Sequence, residues 1–350
     1  MSTTLSPAEP ESPPQTGTRS AAAARLGWML LALAVLAGVG LLSLVLGNRG
    51  VSLDDAVAAL GGAQDTIGQA AVTKRIPRTV LAMLVGAALG AAGVVLQGLT
   101  RNPLADPVIF GITPGAALFV VVGMAFFGLS SPTGYVLVAS AGCTVAAVFV
   151  YTIGSMGRGG ATPLKLALAG AASGAAFQSM STAILLPRVD VMDSYRFWQI
   201  GGVGGASLTR IMQVLPFLVL GALLAMAIAR GLNALALGEE LASGLGERVG
   251  LIRGLATAAA VLLLGGATAA AGPIAFVGLV VPHACRLVVG LDHRWLLPFS
   301  MVVGAVLLTA ADVIGRVVAR PSEVDVGIVT ALVGAPIFIL IVRRQKARAL

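Results

Sequence analysis

Few side chains in this 350-residue chain could do chemistry, and their spacing argues against most of it. A hydrolase working inside a membrane needs a nucleophile and a base, for which Ser173 (in Gly170-Ala-Ala-Ser-Gly174) and His283 are the candidates. That spacing does not match a Gly-x-Ser-Gly signature, and the expected topology gives the two residues no reason to meet. An aspartyl type would need a pair of carboxylates deep in the bilayer, and only Asp312 is so placed. His283 and His293 are the only histidines, too few for a metal centre. Cys143 and Cys285 each lie in an apolar run, which suggests no disulfide framework. A phosphate-binding loop must end in Gly-Lys, whereas Lys74, Lys165 and Lys346 follow Thr, Leu and Gln. The chain therefore does not hydrolyse ATP on its own.

What remains is charge recognition. Arg75 and Arg78 lie three apart on one side of a helix start and bracket Pro77, a residue suited to a first helical turn. Arg316 follows Asp312 by four residues, the spacing at which the two pair along a helix, and Glu323 precedes the last apolar run. Such arginines either snorkel to an interface or hold a charged partner.

The elements that must position these residues are membrane helices. The chain is 57% hydrophobic and 11% charged with 45 glycines, values that describe a polytopic all-α membrane protein. A formal charge of +8 fits basic residues anchoring loops at an anionic cytoplasmic leaflet better than it fits nucleic acid. Apolar runs predict ten spans, at roughly 28–46, 79–99, 108–128, 132–154, 164–186, 210–230, 251–271, 274–290, 295–315 and 325–342. Residues 1–27, rich in Ser, Thr, Pro and Ala, read as a disordered cytoplasmic tail, and 343–350 as a short basic one. An even number of spans with Arg343, Arg344, Lys346 and Arg348 at the end places both termini in the cytoplasm. Under that topology Arg49, Lys74, Arg75, Arg78, Arg188, Arg196, Arg210, Arg316 and Arg320 fall outside, against the usual asymmetry.

Within the second span Gly86, Gly90, Gly93 and Gln97 recur every three or four residues, a strip suited to close helix contact or to bordering a passage. The fifth span repeats the device with Gly170 and Gly174 and adds Ser173, Gln178 and Ser181. Between spans six and seven, residues 232–247 have the periodicity of two short surface helices broken at Gly238, carrying Glu239 and Glu240.

RIPR at 75–78, the small-residue helix ending in Gln97-Gly98, and RNPLADP at 101–107 followed by Gly111 and Gly115 resemble one family together. It is that of the iron-siderophore, haem and cobalamin permeases, the membrane subunits of type II ATP-binding-cassette importers. GPIAFVGLVVPHACRLVVGLDHRWLLP and VDVGIVTALVGAPIFIL extend the resemblance over residues 28–342. It implies an inner-membrane permease without cofactor or chemistry of its own, working as a dimer with a second copy or a paralogue. Two cytoplasmic ATPases and an extracytoplasmic binding protein would complete it, with a ferric siderophore as substrate, or else haem or cobalamin. By the same resemblance Arg75, Arg78 and Arg316, with Glu323, dock the binding protein. Gly86, Gly90, Gly93, Gln97, Gly170 and Gly174 border the path. Asn102 with Leu104, and Ala161 with Thr162, match gates, although Ala161 stands where a hydroxyl residue is expected. Leu235, Leu237, Gly238, Glu239, Glu240, Leu241 and Gly246 match the element that couples to the ATPase. A secondary carrier driven by ions would want buried ionisable groups, which most spans lack.

Overall fold

The computed structural model describes residues 17–47, 50–103, 105, 111–157 and 162–346, which fold into helices and loops alone. In chain order the helices are α1 (Gly17–Val45), α2 (Leu53–Leu60), α3 (Ile67–Thr100), α4 (Ile112–Phe127), α5 (Pro132–Ser155), α6 (Pro163–Leu185) and α7 (Val189–Ile200). They continue as α8 (Leu208–Ala227), α9 (Ala229–Ala236), α10 (Glu239–Gly244), α11 (Val249–Ala271), α12 (Val277–Val289), α13 (His293–Val318) and α14 (Val326–Lys346). A helix thus lies over each of the ten apolar runs, and six of them are long and apolar enough to cross a membrane by themselves.

The bundle is built around α3, the most buried of those six, which packs against α1, α8, α9, α11, α12 and α13. Its first turn is fixed by a capping box: Thr66 Oγ1 accepts from the Gln69 N–H at 3.1 Å, and the Gln69 side chain accepts from the Thr66 N–H at 3.3 Å. The helix therefore starts at Ile67, well before the apolar run, and Pro77 lies inside it rather than in its first turn. At about 1.5 Å per residue its 34 residues reach about 50 Å, well beyond the ~30 Å hydrocarbon core. The RIPR turns sit on that surplus length.

Two other boundaries differ from the sequence reading. α1 begins at Gly17, because the Ala-rich run before Trp28 is a strong helix former, so residues 17–27 belong to it; residues 1–16 lie outside the described residues. α14 continues to Lys346 and takes up the start of the basic segment, while 347–350 lie outside the described residues.

Candidate functional site

The glycine strip of α3 makes helix contacts. A Cβ on Gly86 would run into the Gly304 carbonyl of α13, one on Gly90 into the Ser300 carbonyl, and one on Gly93 into the Gly278 carbonyl of α12. Backbones pack directly on backbones, which only glycine permits. Gln97, 3% exposed, ends the strip by donating from Nε2 to the Gly278 carbonyl at 3.3 Å and the Leu279 carbonyl at 3.4 Å. The reason lies four residues along α12: Pro282 has no N–H to give back to Gly278, and the Gln97 amide supplies the missing donor. Gly86, Gly90, Gly93 and Gln97 therefore face α12 and α13 in the interior of this subunit.

At one end of the bundle, three arginines and two acids from α3, α13 and the loop before α14 meet beside the end of α1. Arg75 donates from Nη1 to the Leu44 and Val45 carbonyls, both at 2.9 Å. Arg316 donates from Nη1 to the Ser43 carbonyl at 2.9 Å and the Leu46 carbonyl at 3.2 Å, and from Nη2 to Ser43 Oγ at 2.6 Å. These are the carbonyls that the last turn of α1 cannot satisfy internally, and two cations suit that negative helix end. Arg75 and Arg316 are only 7% and 1% exposed. Both guanidiniums are thus buried beneath the mouth and hydrogen-bond to the end of α1. Asp312, 1% exposed, lies between Arg316 at 3.0 Å and Arg78, whose Nε and Nη2 reach it at 3.0 and 2.8 Å. Arg78 Nη1 turns outward to Glu323 at 2.6 Å, and Glu323 is one-third exposed. Of the four residues expected at this mouth, Arg78 and Glu323 form its accessible edge.

α6 has two unlike faces. On one, Gly170 and Gly174 are buried under the start of α4, where Gly111 rests on the Gly170 carbonyl and Pro114 Cγ is 3.5 Å from the Cβ position of Gly174. These glycines also serve packing and do not line an open wall. The other face is exposed and carries small and mildly polar residues, among them Ala171, Ala175, Gln178, Ser179 and Thr182. The Ser179 and Thr182 hydroxyls fold back onto the Ala175 and Gln178 carbonyls, each at 2.9 Å. Thr162 caps α6, its Oγ1 accepting from the Lys165 N–H at 3.3 Å. Asn102 is exposed just past the left-handed Arg101 that ends α3; Leu104 and Ala161 lie outside the described residues.

At the opposite end from Arg78, α9 and α10 are separated at Gly238, which adopts φ +113° and so leaves the helical path. α10 closes in a Schellman motif: Gly246 (φ +84°) donates to the Ser243 carbonyl and Glu247 to the Ala242 carbonyl, both at 3.0 Å. Leu235 is 2% exposed and faces the bundle, so it anchors the element and is not available to a partner. Leu237, Leu241 and Leu245 are each at least 60% exposed and form an apolar ridge beside exposed Glu240. Glu239 turns back to accept from Arg101 at the end of α3 and from Arg253 near the start of α11. Asn233 of α9 donates to Asp292 Oδ1 at 2.7 Å and accepts from the His293 N–H at 2.9 Å and from Nδ1 at 2.7 Å, tying α9 to α13. Since the amide oxygen can only accept, His293 carries its proton on Nδ1. Burial alone would raise the pKa of Asp292, but hydrogen bonds from Arg294 and Asn233 outweigh it and hold it at about 2. The sequence reading missed Arg101, Arg253, Asn233 and Leu245; for Leu245 alone a signal was available, its four-residue spacing from Leu241.

An all-helical bundle with glycine-notched contacts, buried ion pairs and six helices long and apolar enough to cross a membrane is the architecture of a polytopic membrane protein. The chain belongs to the FecCD transport family, whose profile matches residues 33–344. It is 44% identical over 270 residues to the probable siderophore transport system permease protein YfiZ of Bacillus subtilis, covering 77% of this chain and 81% of that one. It is 42% identical over 306 residues to the ferric enterobactin transport system permease protein FepD of Escherichia coli, covering 87% and 91%. Its fold matches that of an inward-facing metal-chelate type ABC transporter with a TM-score of 0.80 at 28% identity, over 91% of this chain and 99% of the other. The chain is thus a multi-pass permease component of an ATP-binding-cassette transporter.

Proposed function

We propose that the chain imports a ferric siderophore by alternating access, pairing with a second copy or a paralogue and driven by two separate ATPase subunits that bind the ATP. The observation that carries this reading is the α9–α10 element. Its ridge of Leu237, Leu241 and Leu245 is apolar and exposed, and Glu239 and Asn233 bind its underside to α3, α11 and α13. A force applied to that ridge reaches the central helix and its main packing partner directly.

In this reading the ridge faces the cytoplasm, as do both termini, and seats in the ATPase with Glu240, Gly238 and Gly246 shaping its contour. Arg78 with Glu323 faces outside and meets an acidic lobe of the binding protein, while Arg75 and Arg316 hold the mouth rigid from beneath. The exposed face of α6 borders the path, with Asn102 and Thr162 at its inner limit. Weak, generic polarity on that face suits a conduit that releases its cargo instead of holding it.

The test is uptake of radioactive iron by cells lacking their own iron-chelate permeases and expressing this chain with its transport partners. Uptake of iron from a ferric siderophore, with no uptake of iron from ferric citrate or of radioactive cobalt supplied as cobalamin, is expected; cobalamin uptake without iron uptake would overturn the substrate assignment.

A further inference from the structure

α1 is fastened differently at its two ends. Where it stops, Arg75 and Arg316 hold its last carbonyls. Nearer its start it meets α12 and α13 across a groove of about 260 Å³, and of the six spanning helices it is the least buried. Trp28, Leu31 and Val35 form the outer wall of the groove, each at least 43% exposed, and buried Cys285 and Phe299 form its floor. The lining is apolar throughout.

Arg25 precedes Trp28, Ala32 and Val35 on the same face of α1, at intervals of three, four and three. Side chains lean toward the N-terminus of a helix, so Arg25 reaches past the end of the groove. Its Nη2 comes within 3.6 Å of where a Cβ on Gly290, at the end of α12, would stand. This is the end of the bundle at which Asn233 of α9 holds Asp292 and His293. Arg25 is partly exposed, and it makes no hydrogen bond or ion pair among the described residues.

An open guanidinium above an apolar slot, with an indole one turn further in, has the complementarity of a membrane lipid. The arginine suits a phosphate, the slot an acyl chain, and the ring of Trp28 the level between them. A zwitterionic headgroup would press its own cation against the unpaired guanidinium, so a headgroup of net negative charge fits better. From Trp28 to Val35 the slot runs about 10 Å, too short to seat a spanning helix of about 20 residues.

We infer that this groove binds one anionic phospholipid of the adjoining leaflet, its phosphate on Arg25 and an acyl chain between α1 and α12. The lipid fastens the start of α1 as Arg75 and Arg316 fasten its finish. The inference needs neither ATPase nor transport, so it stands or falls separately from the import reading.

Replacing Trp198 and Trp295 by Phe leaves Trp28 as the sole indole reporter. This full-length protein, in phosphatidylcholine nanodiscs, receives rising mole fractions of phosphatidylglycerol or phosphatidylcholine brominated on one acyl chain, and quenching of Trp28 fluorescence is read. Brominated phosphatidylglycerol is expected to quench at a several-fold lower mole fraction than brominated phosphatidylcholine. Arg25→Gln should remove about fivefold of that preference, whereas Arg248→Gln, at an exposed cation before α11, should leave it unchanged. Ala32→Phe, which fills the groove, should raise the mole fraction of either lipid needed. Equal quenching by the two lipids, a preference that survives Arg25→Gln, or an equal loss in Arg248→Gln, the mark of general attraction to a basic surface, overturns the inference.

Discussion

Removing Asp312 should damage the bundle more than removing any other single acid. Its carboxylate is 1% exposed, takes two nitrogens of Arg78 at 2.8 and 3.0 Å and faces Arg316 at 3.0 Å. In Asp312→Ala both cations stay buried and lose their shared counter-charge. Breaking a buried pair from one side costs about 3–5 kcal/mol. Arg78 keeps Glu323, and Arg316 keeps Ser43 and the Leu46 carbonyl, so the cost falls at the lower end, about 3 kcal/mol. Adding Arg78→Met should return about 1–3 kcal/mol, because one stranded cation goes with it. The assay is reversible unfolding in mixed micelles, followed by tryptophan fluorescence for the parent, both single variants and the double. A single-variant cost within about 0.5 kcal/mol, as for an ordinary surface change, would refute the account of this network, as would strictly additive costs.

Further outcomes follow from the other contacts. Gln97→Leu should cost about 1–3 kcal/mol in the same unfolding assay, because the Gly278 carbonyl then has no donor. Gly90→Val should fold poorly by size-exclusion chromatography, since its side chain meets the Ser300 carbonyl, whereas Gly254→Ala, with open space around it, should be neutral or stabilising. Leu241→Asp should leave the unfolding curve intact and abolish ATPase-coupled uptake, while Leu235→Asp, buried at the root of the same element, should unfold it. Asp292 is held at about 2, below the ~3.9 of an unperturbed carboxyl, so its contribution is complete above pH 4 and lost as pH falls through 2. An acid titration of Asp292→Asn should lack that part of the decline.

Helix positions were legible because period and apolar length are written into each run, and Gly238 marked the break between α9 and α10. The helices α2 and α7 left no such mark: at 8 and 12 residues they are too short to read as spans. The start of α3 was recoverable from Thr66 and Gln69, a capping pair outside the apolar run. Arg75 and Arg316 read as surface cations because their partners are backbone carbonyls of α1, which carry no side-chain signature. Gln97 had a signal in principle, since Pro282 must strand the carbonyl four residues before it, but pairing the two required the fold. Glu239 was visible as an acid on the right element, though its use as a clasp to Arg101 and Arg253 depends on long-range geometry.

The central claim, a passage worked by separate nucleotide-hydrolysing subunits through the α9–α10 ridge, is tested most directly in liposomes. Accumulation of radioactive ferric siderophore is measured for this permease with and without its ATPase, each with ATP and the binding protein present. Accumulation against a gradient is predicted only with the ATPase, and not when Leu241→Asp breaks the ridge. Concentrative uptake by the permease alone would contradict it.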